Sequence, residues 1–324
     1  MSARLRSTPP VAVLVPCLNE EAAIEGVVRG FRAALPHATV YVYDNGSTDR
    51  TVERARAAGA VVRSEPLRGK GNVVRRMFAD VEAAVYVLVD GDDTYDAAAA
   101  PALIRALEDG QLDMVNAARM TDEVAAYRPG HRFGNALLTG LVARIFGNRF
   151  RDILSGYRVF SRRFVKSFPA LAAGFEIETE LTVHALELRM PVAEVDTAYR
   201  ERPRGSASKL CTFRDGARIL RTILLLAKEE RPLLFFSGVC AMLLATALAL
   251  SAPLVPTYLA TGLVPRMPTA LLSTGLAILA FLSLACGLIL DTVTRGRREL
   301  KRLHYLSWRA PGAQPTARED EAAA

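Results

Sequence analysis

The sequence predicts an α/β domain with a mostly parallel, Rossmann-like sheet, followed by two membrane-spanning helices. Three observations predict this fold class. Short apolar segments alternate with amphipathic ones from residue 11 onwards, two long runs near the carboxyl end carry almost no charge, and basic residues flank both runs. Alternation of this kind is typical of a parallel sheet covered by helices.

The first two thirds of the chain carry the alternation. The first predicted helix has apolar residues at helical spacing, which are expected to form its buried face: Ile24, Val27, Val28 and Phe31. Strands are predicted at residues 11–15, 40–43, 61–63, 84–89, 114–117 and 192–199, and helices at 20–35, 48–57, 71–80, 97–108 and 175–188. In such sheets ligands bind beyond the carboxyl ends of the strands, so the polar residues that follow each strand are candidates for a binding site.

The two apolar runs cover residues 233–255 and 267–290, and Arg266 is the only charged residue between Pro232 and Leu290. A helix needs about 20 apolar residues to cross a bilayer. The joint at 253–268 holds four prolines and is expected to be a tight loop. A pair of buried core helices is the alternative, but soluble helices rarely stay uncharged over this length.

The charge distribution predicts how the hairpin is oriented. Basic side chains precede the first run at Arg214, Arg218, Arg221, Lys228 and Arg231, and follow the second at Arg295, Arg297, Arg298, Lys301, Arg302 and Arg309. The positive-inside rule then puts both termini in the cytoplasm of a multi-pass protein of the inner (cell) membrane. No signal peptide is expected, because the run at 11–15 is too short for one.

The resulting organisation has four parts. Residues 1–210 form the α/β domain, 211–231 an amphipathic helix lying in the membrane interface, 232–291 the hairpin, and 292–324 a basic cytoplasmic segment with a mobile tail from Ala310. Cys17, Cys211, Cys240 and Cys286 form no close pair, so neither a disulfide nor a zinc site is indicated.

The amino-acid composition excludes some classes of protein and indicates the kind of partner. The 324 residues are 51% hydrophobic, and 41 basic against 34 acidic side chains give a net charge of +7. This hydrophobicity excludes an intrinsically disordered chain. The basic excess lies around the predicted spans and just before them, so anionic lipid or an anionic substrate is expected as a partner and nucleic acid is not.

Polar residues follow the first two strands. Pro16, Asn19 and Glu20 come after the first, without the GxGxxG pattern of a dinucleotide-binding enzyme, and ordinary helix capping is the alternative role for Asn19 and Glu20. Asp44 ends the second strand and can accept hydrogen bonds from a base or a ribose hydroxyl. Ser47 or Thr48 can cap the next helix, and a plain turn would also explain this stretch.

The fourth strand runs into four carboxylates within seven residues, Asp90, Asp92, Asp93 and Asp96. Their mutual repulsion is easiest to understand if a divalent cation binds there. Mg²⁺ and Mn²⁺ prefer oxygen ligands and bridge carboxylates to phosphates. Gly91 allows a ligand to approach closely, and the spacing differs from that of an EF-hand.

Over residues 10–231 these motifs resemble the inverting family 2 glycosyltransferases of the GT-A fold. The matching motifs are Pro16-x-x-Asn19-Glu20, Asp44-x-Gly46-Ser47-x-Asp49, Gly69-Lys70-Gly71 and Asp90-Gly91-Asp92. Later segments resemble the polyprenyl-phosphate glycosyltransferases, a group that includes dolichol-phosphate mannose synthase. Those segments are Ala118-Arg119, Arg132 to Asn135, Asp152 to Arg158, and Arg204 to Leu210.

The resemblance implies a role for each matching position. The nucleotide-sugar would be bound by Pro16, Asn19, Glu20, Asp44, Gly46, Ser47, Lys70, Asp90 and Gly91. Asp92 would be the direct ligand of Mg²⁺ or Mn²⁺, with Asp90 beside it and Thr94 as a third, less typical, ligand. The acceptor phosphate would face Arg119, Arg132, Arg204, Ser208 and Lys209.

The nature of the acceptor follows from its charge. A phosphate monoester is largely dianionic at neutral pH because its second pKa is about 6. It therefore needs cations to orient it rather than a base, and arginine does this by paired hydrogen bonds. Arg200, Arg202, Arg204 and Lys209 cluster just before the hairpin, where a lipid phosphate would lie. A basic face attracted to anionic lipids is the alternative.

The sequence thus predicts inverting transfer of a hexose from a UDP-sugar or GDP-mannose to undecaprenyl or dolichyl phosphate, by a possible homo-oligomer. A second hypothesis is a hydroxyl acceptor with Asp152 as the catalytic base. Polymer-forming relatives usually carry a Gln-x-x-Arg-Trp motif, which argues against this hypothesis. The only tryptophan here, Trp308, lies in the tail beyond the second apolar run, so the motif is absent. A third is a non-catalytic nucleotide-binding scaffold. One of Glu176, Glu178 and Glu180 is expected to contact the donor sugar.

Overall fold

The computed structural model describes residues 11–120, 131–147, 150–203 and 212–311. Seven strands form one sheet. They are β1 (Val11–Cys17), β2 (Thr39–Asp44), β3 (Val61–Ser64), β4 (Val85–Leu88), β5 (Met114–Met120), β6 (Arg158–Ser161) and β7 (Val192–Ala198). Their order across the sheet is β3-β2-β1-β4-β6-β5-β7.

The sheet is mostly parallel, as the sequence predicts. β6 is the exception, because it pairs antiparallel with both β4 and β5. β6 is not among the predicted strands, because its four residues are all buried and show no alternation. Arg158 opens the strand with no exposed surface, and its guanidinium donates to the carbonyl oxygens of Ser155 (3.0 Å) and Ile153 (2.7 Å) and to the hydroxyl of Thr182 (2.9 Å).

Helices cover the sheet. Those of the first part are α1 (Ile24–Ala34), α2 (Thr51–Ala57), α3 (Lys70–Asp80), α4 (Ala100–Asp109), α5 (His131–Phe146), α6 (Arg162–Ser167) and α7 (Ile177–Glu187). The predicted face of α1 is confirmed, since Ile24, Val27, Val28 and Phe31 are all buried against the core. That core also contains inward-facing side chains of β1, β2 and β4.

α2 begins three residues later than predicted, and the reason is local hydrogen bonding. Asp49 accepts from both the N–H (3.0 Å) and the hydroxyl (2.5 Å) of Thr51. The predicted capping by Ser47 or Thr48 is wrong, because Ser47 accepts instead from the N–H of Asn19 at 2.8 Å. The turn after β2 is therefore tied to the turn after β1.

The remaining helices are α8 (Thr212–Glu230), α9 (Pro232–Ser251), α10 (Leu254–Thr261) and α11 (Met267–Leu306). The chain divides into two compact units, one of residues 1–220 and 301–324 and the other of residues 221–300. Pro232–Thr261 and Met267–Leu306 are long and apolar enough to cross a membrane. Only 6% and 11% of the most apolar stretch of each is buried. The joint predicted as a loop contains α10, and α11 continues well past residue 291.

Within the second unit the two long helices contact each other through small residues. The hydroxyls of Ser273 and Ser283 donate to the carbonyl oxygens of Ala247 (2.9 Å) and Phe236 (3.2 Å). A Cβ at Gly287 would lie only 2.9 Å from that of Phe236. Such contacts are typical of helices that associate in a bilayer, where small residues allow close approach.

Residues 301–308, here called the C-terminal strap, belong to the first unit. The Tyr305 hydroxyl donates to Asp113 at 2.6 Å, and Lys301 pairs with Glu187 at 2.9 Å. The ring of Trp308 lies 4.7 Å from the guanidinium of Arg162. The strap is thus part of the α/β unit, although residues 301–306 are the carboxyl end of α11. The predicted mobile tail from Ala310 lies almost wholly outside the described residues.

Candidate active site

The predicted polar strand ends meet at one edge of the sheet. β1 pairs with β2 so that Cys17 lies opposite Asp44, and β1 also pairs with β4, which leads directly into Asp90. This juxtaposition follows from the parallel register, which brings the carboxyl ends of neighbouring strands together.

Asp44 is held by its own turn. Its carboxylate accepts from the N–H groups of Gly46 (3.0 Å) and Ser47 (3.1 Å), and Gly46 has a φ of 81°, which suits glycine. Asn19 completes the link, since its side chain accepts from the N–H of Thr48 at 2.8 Å. Asn19, Asp44, Gly46 and Ser47 therefore form one rigid pair of loops beside Pro16.

Asn45 is a site residue that the sequence does not single out. Its buried amide donates to the carbonyl oxygens of Glu65 and Leu67, both at 2.8 Å, and its oxygen accepts from the N–H of Gly69 at 2.7 Å. Asn45 thus fixes the Gly69-Lys70-Gly71 segment against the end of β2. Its position inside the Asp44–Asp49 motif is the only signal that could have pointed to it.

Asp92 lies buried at the end of β4. Its carboxylate accepts from the Thr94 hydroxyl at 2.7 Å and pairs with Arg202 at 2.5 Å. Arg202 also lies 3.8 Å from Glu20. Burial raises the pKa of Asp92, and the charge of Asp90 raises it further, whereas Arg202 opposes the rise. Thr94 therefore orients Asp92, while a direct ligand role for Thr94 stays a prediction.

Asp90 has a different cation beside it. Lys70, at the start of α3, contacts Asp90 at 2.5 Å and also contacts Glu178 at the start of α7. Burial lowers the pKa of Lys70, but the charges of Asp90 and Glu178 outweigh it, so the pKa lies above its ordinary value. Lys70 is therefore a charged ammonium held between two carboxylates.

Three glycines are required by close packing around these groups. A Cβ at Gly91 would lie 2.5 Å from the sulfur of Cys17, and one at Gly156 would lie 2.3 Å from Asp90 Oδ2. A Cβ at Gly71 would lie 2.1 Å from the carbonyl oxygen of Ala172. The absence of side chains here lets β4, α3 and the loop before α7 converge on Asp90.

The structure separates the three glutamates at the start of α7, of which Glu176 precedes the helix. Glu180 accepts from the N–H groups of Leu171 (2.9 Å) and Ala172 (2.7 Å), and Glu176 accepts from the N–H of Gly174 (3.0 Å). Both carboxylates hold the loop that precedes the helix. Glu178 alone of the three contacts Lys70, so it is the one connected to the Asp90 site.

Arg119 and Asp152 form a second cluster at the carboxyl end of β5. The guanidinium makes two hydrogen bonds to the carboxylate, at 2.7 and 2.8 Å, and lies 5.6 Å from the centre of the Tyr199 ring. Tyr199 in turn packs against Tyr95, whose hydroxyl accepts from the N–H of Gly156 at 2.8 Å. These contacts connect the Arg119 cluster to the Asp90 site.

The other predicted acceptor residues are only partly described. Arg132 lies in α5, and its side chain is outside the described part of the structure. Arg204, Ser208 and Lys209 lie outside the described residues altogether. Arg119 is therefore the one predicted phosphate ligand whose side-chain geometry can be given.

The described carboxylates can hold a divalent cation only if a bound substrate supplies further ligands. Among the described residues no three His, Cys, Asp or Glu side chains converge as a closed metal site. Asp90 and Asp92 supply two carboxylates, and Gly156 leaves space at Asp90 Oδ2. Mg²⁺ is bound in this way in many phosphate sites, by one or two carboxylates plus phosphate oxygens. The donor set therefore fits Mg²⁺ or Mn²⁺ bound with a nucleotide.

Comparison with known proteins agrees with this geometry. The model for glycosyl transferase family 2 matches residues 12–168. Glycosyltransferase AglJ of Haloferax volcanii is 38% identical over 247 residues, covering 74% of this chain and 80% of that protein. The dolichyl-phosphate hexose transferase of the same organism is 29% identical over 221 residues, covering 68% of this chain and 95% of that protein.

A solved structure is similar over the same region. Glucosyl-3-phosphoglycerate synthase from Mycobacterium tuberculosis, in complex with Mn²⁺, uridine-diphosphate-glucose and phosphoglyceric acid, matches with a TM-score of 0.56 and 25% identity, covering 68% of this chain and 81% of that chain. The predicted GT-A fold is thereby confirmed. The strand-end motifs, the sheet that assembles them and these similarities together show that the chain belongs to glycosyltransferase family 2 and is a glycosyltransferase.

Proposed function

We propose that this enzyme transfers a hexose from a nucleotide-sugar to a polyprenyl phosphate at the cytoplasmic face of a membrane, with inversion at the anomeric carbon. One observation carries the choice of acceptor. Asp152, the available candidate for a catalytic base, has both carboxylate oxygens occupied by Arg119. A hydroxyl acceptor needs a base, whereas a phosphate dianion needs an oriented cation.

Arg119 is suited to bind that phosphate. It is held from one side by Asp152 and from another by the Tyr199 ring, so little side-chain freedom is lost when a phosphate binds. Arg132, Arg204, Ser208 and Lys209 complete the proposed phosphate site. The dolichyl-phosphate hexose transferase of Haloferax volcanii, similar over 68% of this chain, supports an acceptor of this class.

The donor is proposed to bind where the ends of β1, β2 and β4 meet. Pro16, Asn19, Glu20, Asp44, Gly46 and Ser47 line the nucleoside side, and Lys70, Asp90 and Gly91 lie toward the diphosphate. The mycobacterial synthase that was crystallised with uridine-diphosphate-glucose supports a nucleotide-sugar donor.

Asp90 and Asp92 would hold the divalent cation, with Thr94 orienting Asp92. When bound, the cation neutralises negative charge on the departing diphosphate. Arg119 and its neighbours hold the acceptor so that a phosphate oxygen faces the anomeric carbon in line with the leaving group. A bond forms between that oxygen and the carbon, and the carbon–oxygen bond to the nucleoside diphosphate breaks. No proton has to be removed.

The membrane arrangement is part of the proposal. The apolar helices at Pro232–Thr261 and Met267–Leu306 are mostly exposed, which supports burial in lipid. We assign residues 1–210 to catalysis, 211–231 to an interfacial helix and 232–291 to the membrane spans. Both termini are assigned to the cytoplasmic side of the inner membrane. Cysteine labelling of intact spheroplasts tests this, since a cysteine at Leu263 should react from outside and one at Ala310 should not.

Incubation of membranes with labelled nucleotide-sugars and added undecaprenyl or dolichyl phosphate tests the reaction. One nucleotide-sugar should give a labelled lipid that depends on the added phosphate lipid. Label that appears only on a lipid-linked saccharide or polysaccharide would favour the hydroxyl acceptor, and no transfer with any donor would favour a nucleotide-binding scaffold.

A further inference from the structure

Three charged side chains are linked by ion pairs at the end of β4, and two of them are largely buried. Lys70 contacts both Asp90 and Glu178, and these residues come from α3, the β4 end and α7. Exposure differs among the three, since the Asp90 side chain is 30% exposed whereas Lys70 and Glu178 are 9% and 7% exposed. Asp90 is therefore the most accessible of the three side chains, and Glu178 is the least accessible.

Glu178 is fixed in place from several sides. It lies in the first turn of α7, and its backbone carbonyl accepts from the Thr182 hydroxyl at 3.0 Å, which itself accepts from the fully buried Arg158 at 2.9 Å. Its second carboxylate oxygen is buried without a hydrogen-bond partner among the described residues. Burial raises the pKa of Glu178, Lys70 opposes the rise and Asp90 adds to it. Lys70 is thus its compensating charge.

Lys70 is equally constrained. Gly69 and Gly71 pack against the carbonyl oxygens of Ala173 and Ala172, where a Cβ would come within 2.2 and 2.1 Å. The helix start that carries Lys70 therefore cannot shift without moving the loop before α7. The ammonium contacts both Asp90 and Glu178, so its attraction is divided between the two carboxylates.

Division of one cation between two carboxylates has a consequence for metal binding. A carboxylate that pairs alone with an adjacent ammonium is a weaker ligand for Mn²⁺, because the two cations compete for the same negative charge. The competition is smaller when a second carboxylate also pairs with the ammonium. Glu178 takes part of the Lys70 charge and leaves Asp90 more negative toward the site. Partners of this kind behind a ligand change metal affinity by about 10- to 100-fold in other proteins.

We propose that Glu178 is a positioning residue that, through Lys70, sets how strongly Asp90 binds the divalent cation. The inference rests on the proposed use of a cation at Asp90 and Asp92. It does not depend on which acceptor receives the hexose. Glu178 touches neither the cation nor the donor in this scheme.

Mn²⁺ binding to the purified full-length chain tests the proposal without turnover. Electron paramagnetic resonance would follow free Mn²⁺ during titration, in the presence of UDP and, separately, of GDP. In Glu178→Gln the ammonium is left to Asp90 alone, so the dissociation constant should rise about tenfold. Glu176→Gln is the matched control, because it makes the same change two residues earlier, on a buried carboxylate that holds Gly174 and does not contact Lys70. The dissociation constant of this variant should stay within twofold.

The double variant Lys70→Met with Glu178→Met separates positioning from structural damage. It removes the competing ammonium together with its partner, and a buried ion pair can often be replaced by apolar side chains without loss of stability. Because Lys70 also lies toward the donor diphosphate in the proposed site, the reference is the single variant: the affinity for Mn²⁺ should be at least about threefold higher than in Glu178→Gln.

Three results would overturn the proposal: unchanged Mn²⁺ binding in Glu178→Gln, an equal loss in Glu176→Gln, or a double variant no better than the single one. Absence of Mn²⁺ binding by the unmodified chain with either nucleotide would overturn it as well. Failure of lipid labelling with normal Mn²⁺ binding would instead refute the proposed acceptor and leave the role of Glu178 standing.

Discussion

The hydroxyl of Tyr305, at the carboxyl end of α11, should stabilise the α/β unit. It donates to Asp113 at 2.6 Å, and Asp113 has no exposed surface. A hydrogen bond to a buried charged group contributes about 1.5–3 kcal/mol. Asp113 keeps two bonds from Arg163 and one from Ser161 when the hydroxyl is removed, so the lower half of that range is expected.

Tyr305→Phe isolates this contribution, because the ring and its contact with Arg163 at 4.3 Å are retained. A loss of about 2 kcal/mol corresponds to a fall of roughly 4–8 °C in the midpoint of thermal unfolding for a unit of this size. Circular dichroism of the full chain in detergent would measure that midpoint. Emission from Trp308, the only tryptophan, would report separately whether the strap leaves Arg162.

Leu303→Ala is the control for this experiment, since Leu303 lies in the same strap and is 64% exposed. Its midpoint should stay within about 1 °C of the unmodified chain. A Tyr305→Phe midpoint equally unchanged, with unaltered Trp308 emission, would refute the view that the strap completes the α/β unit.

Three further substitutions test the site. Asp92→Ala should abolish hexose transfer while the protein stays in membranes and Asp93→Asn remains active; full activity in EDTA would contradict a metal role. Gly156→Ala should raise the Mn²⁺ dissociation constant more than tenfold, because the new Cβ would meet Asp90 Oδ2 at 2.3 Å; normal binding in a titration would contradict this packing argument. Asp152→Asn should lower transfer only about tenfold by loosening Arg119 and should leave the pH profile unchanged. A loss of several thousand-fold, with the acidic limb of the profile gone, would instead identify Asp152 as a base.

The tail of the apolar helices shows why a sequence boundary need not be a structural one. From their basic composition and the positive-inside rule, residues 292–324 are predicted to form a cytoplasmic segment. Part of that segment, the C-terminal strap, nevertheless belongs to the α/β unit through Lys301, Tyr305 and Trp308. A soluble fragment that stops before the apolar helices would lack these contacts.

Several features could be predicted from the sequence because they are local. Apolar periodicity gives α1 and the parallel strands, since one face of each element must be buried. Long uncharged runs give the two apolar helices, and polar residues after β1, β2 and β4 mark the site because parallel register gathers the strand ends. The motif resemblance adds the family.

Other features were decided only by the tertiary structure, because they depend on contacts between residues far apart in sequence. β6 runs antiparallel and starts with the buried Arg158, which donates to Thr182 of α7, 24 residues later in the chain. Glu176, Glu178 and Glu180 look alike in sequence, and only the position of Lys70, 108 residues before Glu178, separates them. Tyr305 reaches Asp113 across 192 residues. The local sequence pattern determines which face of each helix or strand is buried. The packing of the whole unit determines which buried charged side chains pair with each other.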